Sequence, residues 1–362
     1  MTLSKLRCVL GMVCCLFGWL GPANFCLGQE LLSVQLEQQL PTGEGKSSFH
    51  RVSKKELWNP NETVLIICDM WDAHHCVNAV RRVGELAPRI DRFAKELRDR
   101  GVVVIHAPSS CMAFYEDSGA RKRAKNIAES KSFPDAIETW CDRIPSEEAV
   151  AYPLDQSAGG EDDDPEEHAL WASKLAELGR NPKSPWIRQT QEITIDDERD
   201  YVSDDGKQIW SILQHHQIKN ALLVGVHTNM CVLGRPFGLR RLASNGINAA
   251  LVRDLTDTMY DPNAWPYVSH FSGTDLIVDH VERYVCPSTS SASMIGGSPF
   301  RFSGDKRPRL GILIGEDEYK TEDTAFANIH LRQRFCVEIV FDSGRKRTHF
   351  RSGTIGGHGR SS

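Results

Sequence analysis

The sequence predicts an α/β protein of three layers, with a mostly parallel sheet flanked by helices. Three observations lead there. Residues 63 to 69 and 221 to 226 are nearly continuous apolar runs of strand length, the pattern of strands buried on both faces. Elsewhere apolar residues return at three- and four-residue spacing, as in amphipathic helices. The two patterns alternate, which is the order of strands joined by helical crossovers.

Along the chain, Lys5 and Arg7 precede an uncharged apolar run from Cys8 to Leu20, then Gly21, Pro22 and small residues around Cys26-Leu27-Gly28. This is the order of a secretory signal peptide, so residues 1–28 read as a leader cut after Gly28 and the protein as secreted or periplasmic. The run is short for a membrane span. Residues 29–60 are polar and Gln-rich early on, with Pro41, Gly43 and Gly45, and read as a lead-in or linker.

The main domain is expected over 61–286. Thr63 to Asp69 is a central strand ending in a carboxylate. Val77, Val80, Val83, Ala87, Ile90, Ala94 and Leu97 then mark one helix face, stopped by Gly101. Val102 to Ile105 is a second strand, ending at His106. Residues 116–183 are more polar, and their acidic run from Glu161 to Glu167 reads as a solvated insertion. Trp186 to Ile195 alternates like a strand, and a helix covers Ile209 to Gln217. The strand Ala221 to Val226, a helix from Met230 to Ala243, a strand from Ile247 to Val252 and a helix from Thr274 to Val285 follow. Residues 287–308 are Ser- and Gly-rich and read as a linker. Residues 309–342 open a further strand and read as a truncated α/β fragment. Residues 343–362 hold five Arg or Lys and no acid, and read as a disordered basic tail.

Composition narrows the function. Of 362 residues 40% are hydrophobic and 25% charged, as in an ordinary globular protein. The net charge of −5 gives no reason to expect a nucleic-acid partner, or a membrane partner once the leader is cut. Four of the eleven cysteines lie in the leader. The other seven are widely spaced without a CxxC pair, so they read as core fillers or isolated thiols.

Parallel sheets bind ligands at the carboxyl ends of their strands. Asp69, His106, Cys231 and Asp254 all fall at or just beyond such ends. Cys231 follows a strand and opens a helix, where converging N–H groups and the helix dipole favour a thiolate and hold an oxyanion. The alternative for a free cysteine is a small buried hydrophobe.

Three segments carry a resemblance. Val-Leu-Ile-Ile-Cys-Asp-Met (64–70), Val-Gly-Val-His-Thr-Asn-Met-Cys-Val (224–232) and Leu251 to Asp257 resemble motifs of the isochorismatase-like cysteine hydrolases, which include nicotinamidases and carbamoyl-amine amidohydrolases. The resemblance spans roughly residues 60 to 285. It implies hydrolysis of a small amide or related C–N bond through a thioester: Cys231 attacks, Asp69 accepts the proton and passes it to the leaving amine, and the backbone N–H groups of His227 and Cys231 hold the oxyanion. It implies a cis peptide just before His227, a small-molecule substrate, no required cofactor, and assembly into homo-oligomers as a possibility. Leu310 to Tyr319 resembles the opening strand of trehalose-utilisation-type domains, with only the start of such a domain present.

One feature departs from the family pattern. The catalytic lysine expected between the second strand and the cysteine motif falls on Gln189, or on Arg188 with a one-residue shift. Glutamine offers a neutral hydrogen bond, and arginine keeps the charge in a different geometry. A non-catalytic, ligand-binding version of the same fold is therefore the alternative reading. Trp71 offers a stacking face, and His74, His106 and Asn229 are further pocket candidates. Asp72 and His74, with Cys76 nearby, would face a divalent metal if one bound, although no complete ligand set is visible.

Overall fold

A computed structural model describes residues 30–43, 49–314, 331 and 334–341. The expected leader at 1–28, the expected tail at 343–362 and much of the expected 309–342 fragment lie outside the described residues. In chain order the elements are β1 (Leu32–Pro41), β2 (Phe49–Trp58), β3 (Thr63–Cys68), α1 (Val77–Asp99), β4 (Val103–Ala107), α2 (Met112–Tyr115), α3 (Gly119–Asn126), α4 (Pro165–Glu177), β5 (Tyr201–Val202) and α5 (Gly206–His215). There follow β6 (Asn220–Val226), a π-helical turn at Thr228–Val232, α6 (Leu239–Ser244), β7 (Asn248–Asp257), α7 (His270–Tyr284), β8 (Ser288–Thr289), α8 (Ala292–Ile295), β9 (Arg309–Ile314) and β10 (Cys336–Phe341).

Eight strands form one sheet in the order β2-β1-β8-β7-β6-β3-β4-β5. All neighbours are parallel except at β1, which pairs antiparallel with β2 and β8. β9 and β10 pair in parallel as a separate two-stranded sheet. The protein is thus α/β, with helices on both faces of a mostly parallel sheet. Among the described residues no helix is long and apolar enough to cross a membrane.

The central strands explain the continuous apolar runs. Every residue of β3 and β6 is buried. Val64, Ile66 and Cys68 point into the core beneath α5–α7, and Leu65 and Ile67 into the core beneath α1. α1 buries Leu86, Ala87, Ile90, Phe93, Ala94 and Leu97 there. Each large side chain so buried contributes roughly 1.5–3 kcal/mol. Gly225 has φ +105°, and a Cβ on it would stand 2.0 Å from the Cys68 carbonyl oxygen. Only glycine lets β6 approach the end of β3 this closely.

Several segments differ from expectation. Within the expected lead-in at 29–60, residues 32–41 and 49–58 are not a linker, since β1 and β2 extend the sheet, with Leu32, Val34 and Leu36 turned inward. Trp186 to Ile195 is a loop whose sheet-like feature is one bridge from Gln189 to Trp71. The helix expected from Met230 to Ala243 is broken: Pro236 cannot donate a backbone hydrogen bond, and α6 starts afresh at Leu239. β7 does not stop at Val252. A register shift carries it on to Asp257, and Asp254 turns aside to accept hydrogen bonds from Ser291 and Phe300. Residues 287–308 contain β8 and α8, and Phe300 and Phe302 pack on the core beneath α1.

The acidic run is built in at Asp162 and Asp163, while Asp164 to Glu166 stay exposed. Asp162 meets Arg82 at 2.8 Å, and Asp163 accepts from the first amide of α1 at 2.8 Å. Asp164 caps α4, whose first turn holds Pro165, Glu166 and Glu167, as the helix dipole favours.

Candidate active site

Asp69 is the residue after β3, and its φ of 48° turns the chain sharply at the strand end. Such a conformation is strained for a non-glycine residue and collects at functional sites. The carboxylate is fully buried. Oδ1 accepts from the Ser109 amide at 2.7 Å, and Oδ2 from Arg235 Nε at 3.1 Å. Burial raises its pKa, against the opposing pull of Arg235, Cys231 and Ser109.

Cys231 lies in the π-helical turn and is almost buried. Its thiol adjoins the Asp69 carboxylate, and the His227 amide faces the sulfur. Burial first, then Asp69, pushes the thiol pKa well up, and Arg235 pulls it back. This corrects the expectation of a thiolate favoured by a helix start. The turn is π-helical, no long helix follows, and desolvation with an adjacent carboxylate outweighs the dipole. Burial therefore favours the thiol over the thiolate beside Asp69. The Val226–His227 peptide is cis. Thr228 Oγ1 donates to the Asp257 carbonyl at 2.9 Å, and Thr256 Oγ1 to the Gly225 carbonyl at 2.7 Å, which pin the turn to β7.

The third corner belongs to Arg235, which sequence reasoning missed. Its guanidinium carries the positive charge that Gln189 and Arg188 were expected to replace or supply. The buried Gln189 spends its side chain elsewhere: Oε1 accepts from the His106 ring at 3.1 Å, and Nε2 donates to the Ile193 carbonyl. Arg188 lies 3.4 Å from Asp72 and over the ring of Phe114. The signal for Arg235 was its spacing, four residues after Cys231. A chain still coiled at that point places it one turn on, with Arg235 N–H donating to the Cys231 carbonyl at 3.0 Å.

The other pocket candidates divide. A small cleft beside Asp69 is lined by Trp71, His74, Val80, Val83 and His227. Trp71 stacks on Trp186 with ring centres 4.4 Å apart, and its Nε1 donates to the Ser109 carbonyl. The His74 and His227 rings meet edge to face at 5.0 Å. Burial holds both imidazoles neutral, His227 pushed down to about 4. His227 Nε2 is buried without a hydrogen-bond partner among the described residues.

His106 and Asn229 do not line this cleft. His106 is fully buried, bonded to Asp200 and Gln189. Asn229 uses its side chain to clamp the backbone of Met259, accepting at 2.9 Å and donating at 2.8 Å. Both ends of each side chain are spent on support, the reason neither is free for a ligand.

Asp72 is engaged by Arg180 at 2.8 Å and by the Ile187 amide, and His74 Nδ1 accepts from the Cys76 amide. Among the described residues no three His, Cys, Asp or Glu side chains are grouped to hold a metal ion. The seven described cysteines are all free.

Behind His227 lies a buried charge network that the sequence did not announce. Arg82 Nε donates to Asp257 at 2.7 Å, and the His270 ring bonds to the other Asp257 oxygen at 2.9 Å. Asp162 closes it from the insertion. Arg82 and His270 hold the Asp257 carboxyl far below its ordinary range despite full burial.

No family model matches the chain, and no curated protein matches it. The fold is similar to those of several solved structures, two of which follow. One is a cysteine hydrolase from Pseudomonas syringae pv. phaseolicola 1448A, with 14% identity, 66% of this chain and 92% of that chain covered, and a TM-score of 0.39. The other is an isochorismatase family protein from Burkholderia thailandensis, with 13% identity, 65% and 94% covered, and a TM-score of 0.35.

Proposed function

We propose that the protein hydrolyses a small amide or related C–N bond through a thioester on Cys231. The observation that carries this is the cluster of Cys231, Asp69 and Arg235, a buried thiol and a buried carboxylate with a part-buried guanidinium bonded to the carboxylate. The motif resemblance at 64–70 and 224–232 points to the same reaction class.

In this reading Asp69 takes the thiol proton as Cys231 attacks the carbonyl carbon. A carboxylate with a raised pKa is suited to act as base and then acid, returning the proton to the leaving amine. The His227 amide, which faces the sulfur, and the Cys231 amide stabilise the oxyanion. Water then attacks the thioester as Asp69 accepts its proton, and collapse breaks the C–S bond, releases the acid and returns the proton from Asp69 to the Cys231 sulfur. Arg235 compensates the buried negative charge as it passes between carboxylate and sulfur. The neutral imidazoles of His74 and His227 and the Trp71 ring give the small cleft beside Asp69 an uncharged wall. The ligand-binding reading rested on a missing cation, and Arg235 supplies one. The N-terminal leader pattern supports action outside the cytoplasm.

The test is amine or ammonia release from a panel of small amides, ureas and carbamoyl-amines. The expected result is turnover of at least one compound, an acyl adduct on Cys231 by mass spectrometry, and none of either in Cys231→Ala. Full activity in Cys231→Ala would overturn the mechanism.

A further inference from the structure

The cation of the site is not held by Asp69 alone. Arg235 makes one side-chain hydrogen bond among the described residues, from Nε to Asp69, and its guanidinium carbon lies 5.6 Å from the centre of the Trp140 ring. The same indole lies flat on the preceding residue. A Cβ built on Gly234 would stand 2.4 Å from Trp140 Cε2 and 2.5 Å from Cζ2. The Gly234 backbone is not left-handed, so glycine is needed there for space, not for conformation.

The strap carrying Trp140 is tied to the segment carrying Arg235. The Cys141 amide donates to the Gly234 carbonyl at 2.7 Å, and Arg240 Nη1 donates back to the Cys141 carbonyl at 3.1 Å. Arg241 donates to Thr139 Oγ1 at 3.1 Å, and Arg240 is fixed by two bonds to Glu147. Yet Trp140 is 40% exposed, so filling the core does not account for its place. A guanidinium is drawn to an indole face, and a side chain packed there loses the freedom to swing off its partner.

We propose that Trp140 is a positioning residue that holds the Arg235 guanidinium against Asp69. The proposal rests on reading Cys231, Asp69 and Arg235 as the reactive centre. Trp140 touches no reacting atom and acts through Arg235. The titratable groups facing that centre are the buried thiols Cys68 and Cys111 and the imidazoles of His74 and His227.

The experiment is the rate of Cys231 alkylation by iodoacetamide in the full chain, followed by mass spectrometry at a fixed mildly alkaline pH. Arg235 favours the thiolate, so Arg235→Ala slows labelling. Trp140→Leu is expected to slow it about two- to fivefold, the size of a cation–π contact. Trp140→Phe, which keeps a ring face, restores most of the rate, and Gly234→Ala, which lifts the indole, reproduces Trp140→Leu. The double variant Trp140→Leu/Arg235→Ala labels no more slowly than Arg235→Ala, because the ring acts only through the cation. A wild-type rate in both Trp140→Leu and Gly234→Ala, with Arg235→Ala slow, would overturn the proposal and leave the centre standing. Unchanged labelling in Arg235→Ala would overturn the centre, and the proposal with it.

Discussion

Arg235 Nε lies 3.1 Å from Asp69 Oδ2, although the two residues stand 166 positions apart in the chain. The contact joins the end of β3 to the turn after β6, and it puts a cation beside a carboxylate that is fully buried. Without it Asp69 would be an uncompensated charge. With it, a carboxylate remains available to the Cys231 thiol.

Removing the cation should therefore cost stability in a pH-dependent way. Arg235→Ala is expected to destabilise by about 3 kcal/mol at neutral pH, the cost of leaving a buried charge unpaired. Burial already raises Asp69, and the variant raises it further. A folded-state pKa above the unfolded value gives stability at low pH that is lost as pH rises through the folded value. The deficit should shrink as pH falls through the raised folded-state pKa of Asp69, above the ordinary carboxylate range. Denaturant midpoints measured across pH check this, and a constant deficit contradicts it.

Asp69→Asn should separate reactivity from turnover. The carboxylate raises the thiol pKa, so its removal leaves Cys231 facing Arg235 alone. Iodoacetamide should then label Cys231 faster at neutral pH than in the wild type. Turnover of any substrate found should fall by about 10²–10⁴, since the proton relay is gone. Slower labelling in Asp69→Asn would show that the two groups are not coupled as described.

Stability should fall with acid in two windows. Burial holds His227 at about 4 against an ordinary 6.5. The unfolded chain binds that proton first, so stability is lost as pH drops from 6.5 toward 4. Glu147 is depressed to about 2 by His280 and Arg240, which outweigh the opposing effect of its burial. Its contribution is present above its ordinary 4.5 and is lost between there and about 2. His227→Gln should make the upper window shallower, His74 being held down by burial as well, and Glu147→Gln should do the same to the lower one, which Asp257 shares, as read from melting temperature against pH. Glu147→Gln should also cost roughly 3 kcal/mol at neutral pH by breaking a buried ion pair.

The acidic run should be unequal in its tolerance. Asp162→Ala removes one of two carboxylates from buried Arg82 and should destabilise by about 1–3 kcal/mol. Glu166→Ala, on the exposed first turn of α4, should stay within about 0.5 kcal/mol of wild type. Equal effects at the two positions would return the run to the solvated insertion its composition suggests.

Gly225→Ala should be among the most damaging small substitutions in the sheet. The new Cβ meets the Cys68 carbonyl oxygen at 2.0 Å with a backbone unsuited to alanine. A loss of about 3 kcal/mol or more, or insoluble protein, is expected in chemical denaturation.

What could be read in advance follows a physical rule. β3, β6 and α1 were legible because a segment buried on two faces, or along one helical stripe, must carry that pattern locally. β1 was missed although Leu32, Val34 and Leu36 alternate, because its outward Gln and Glu residues made the composition look like a linker. Trp186 to Ile195 was misread as a strand because its alternation serves a loop pressed against Trp71. Asp69 and Cys231 were legible as ends of apolar runs. Gln189 and Arg188 were placed by spacing alone, and spacing does not say which way a loop residue points.

By itself the sequence determined the layers, the central parallel strands, and the thiol and carboxylate at their carboxyl ends. Those are properties of burial and periodicity, which each segment carries within itself. The tertiary structure alone decided which cation meets Asp69, which acids are buried, and that a thiol near a helix start is protonated rather than ionised. Those depend on distances between residues far apart in the chain and on the water removed from between them, and no local pattern encodes either.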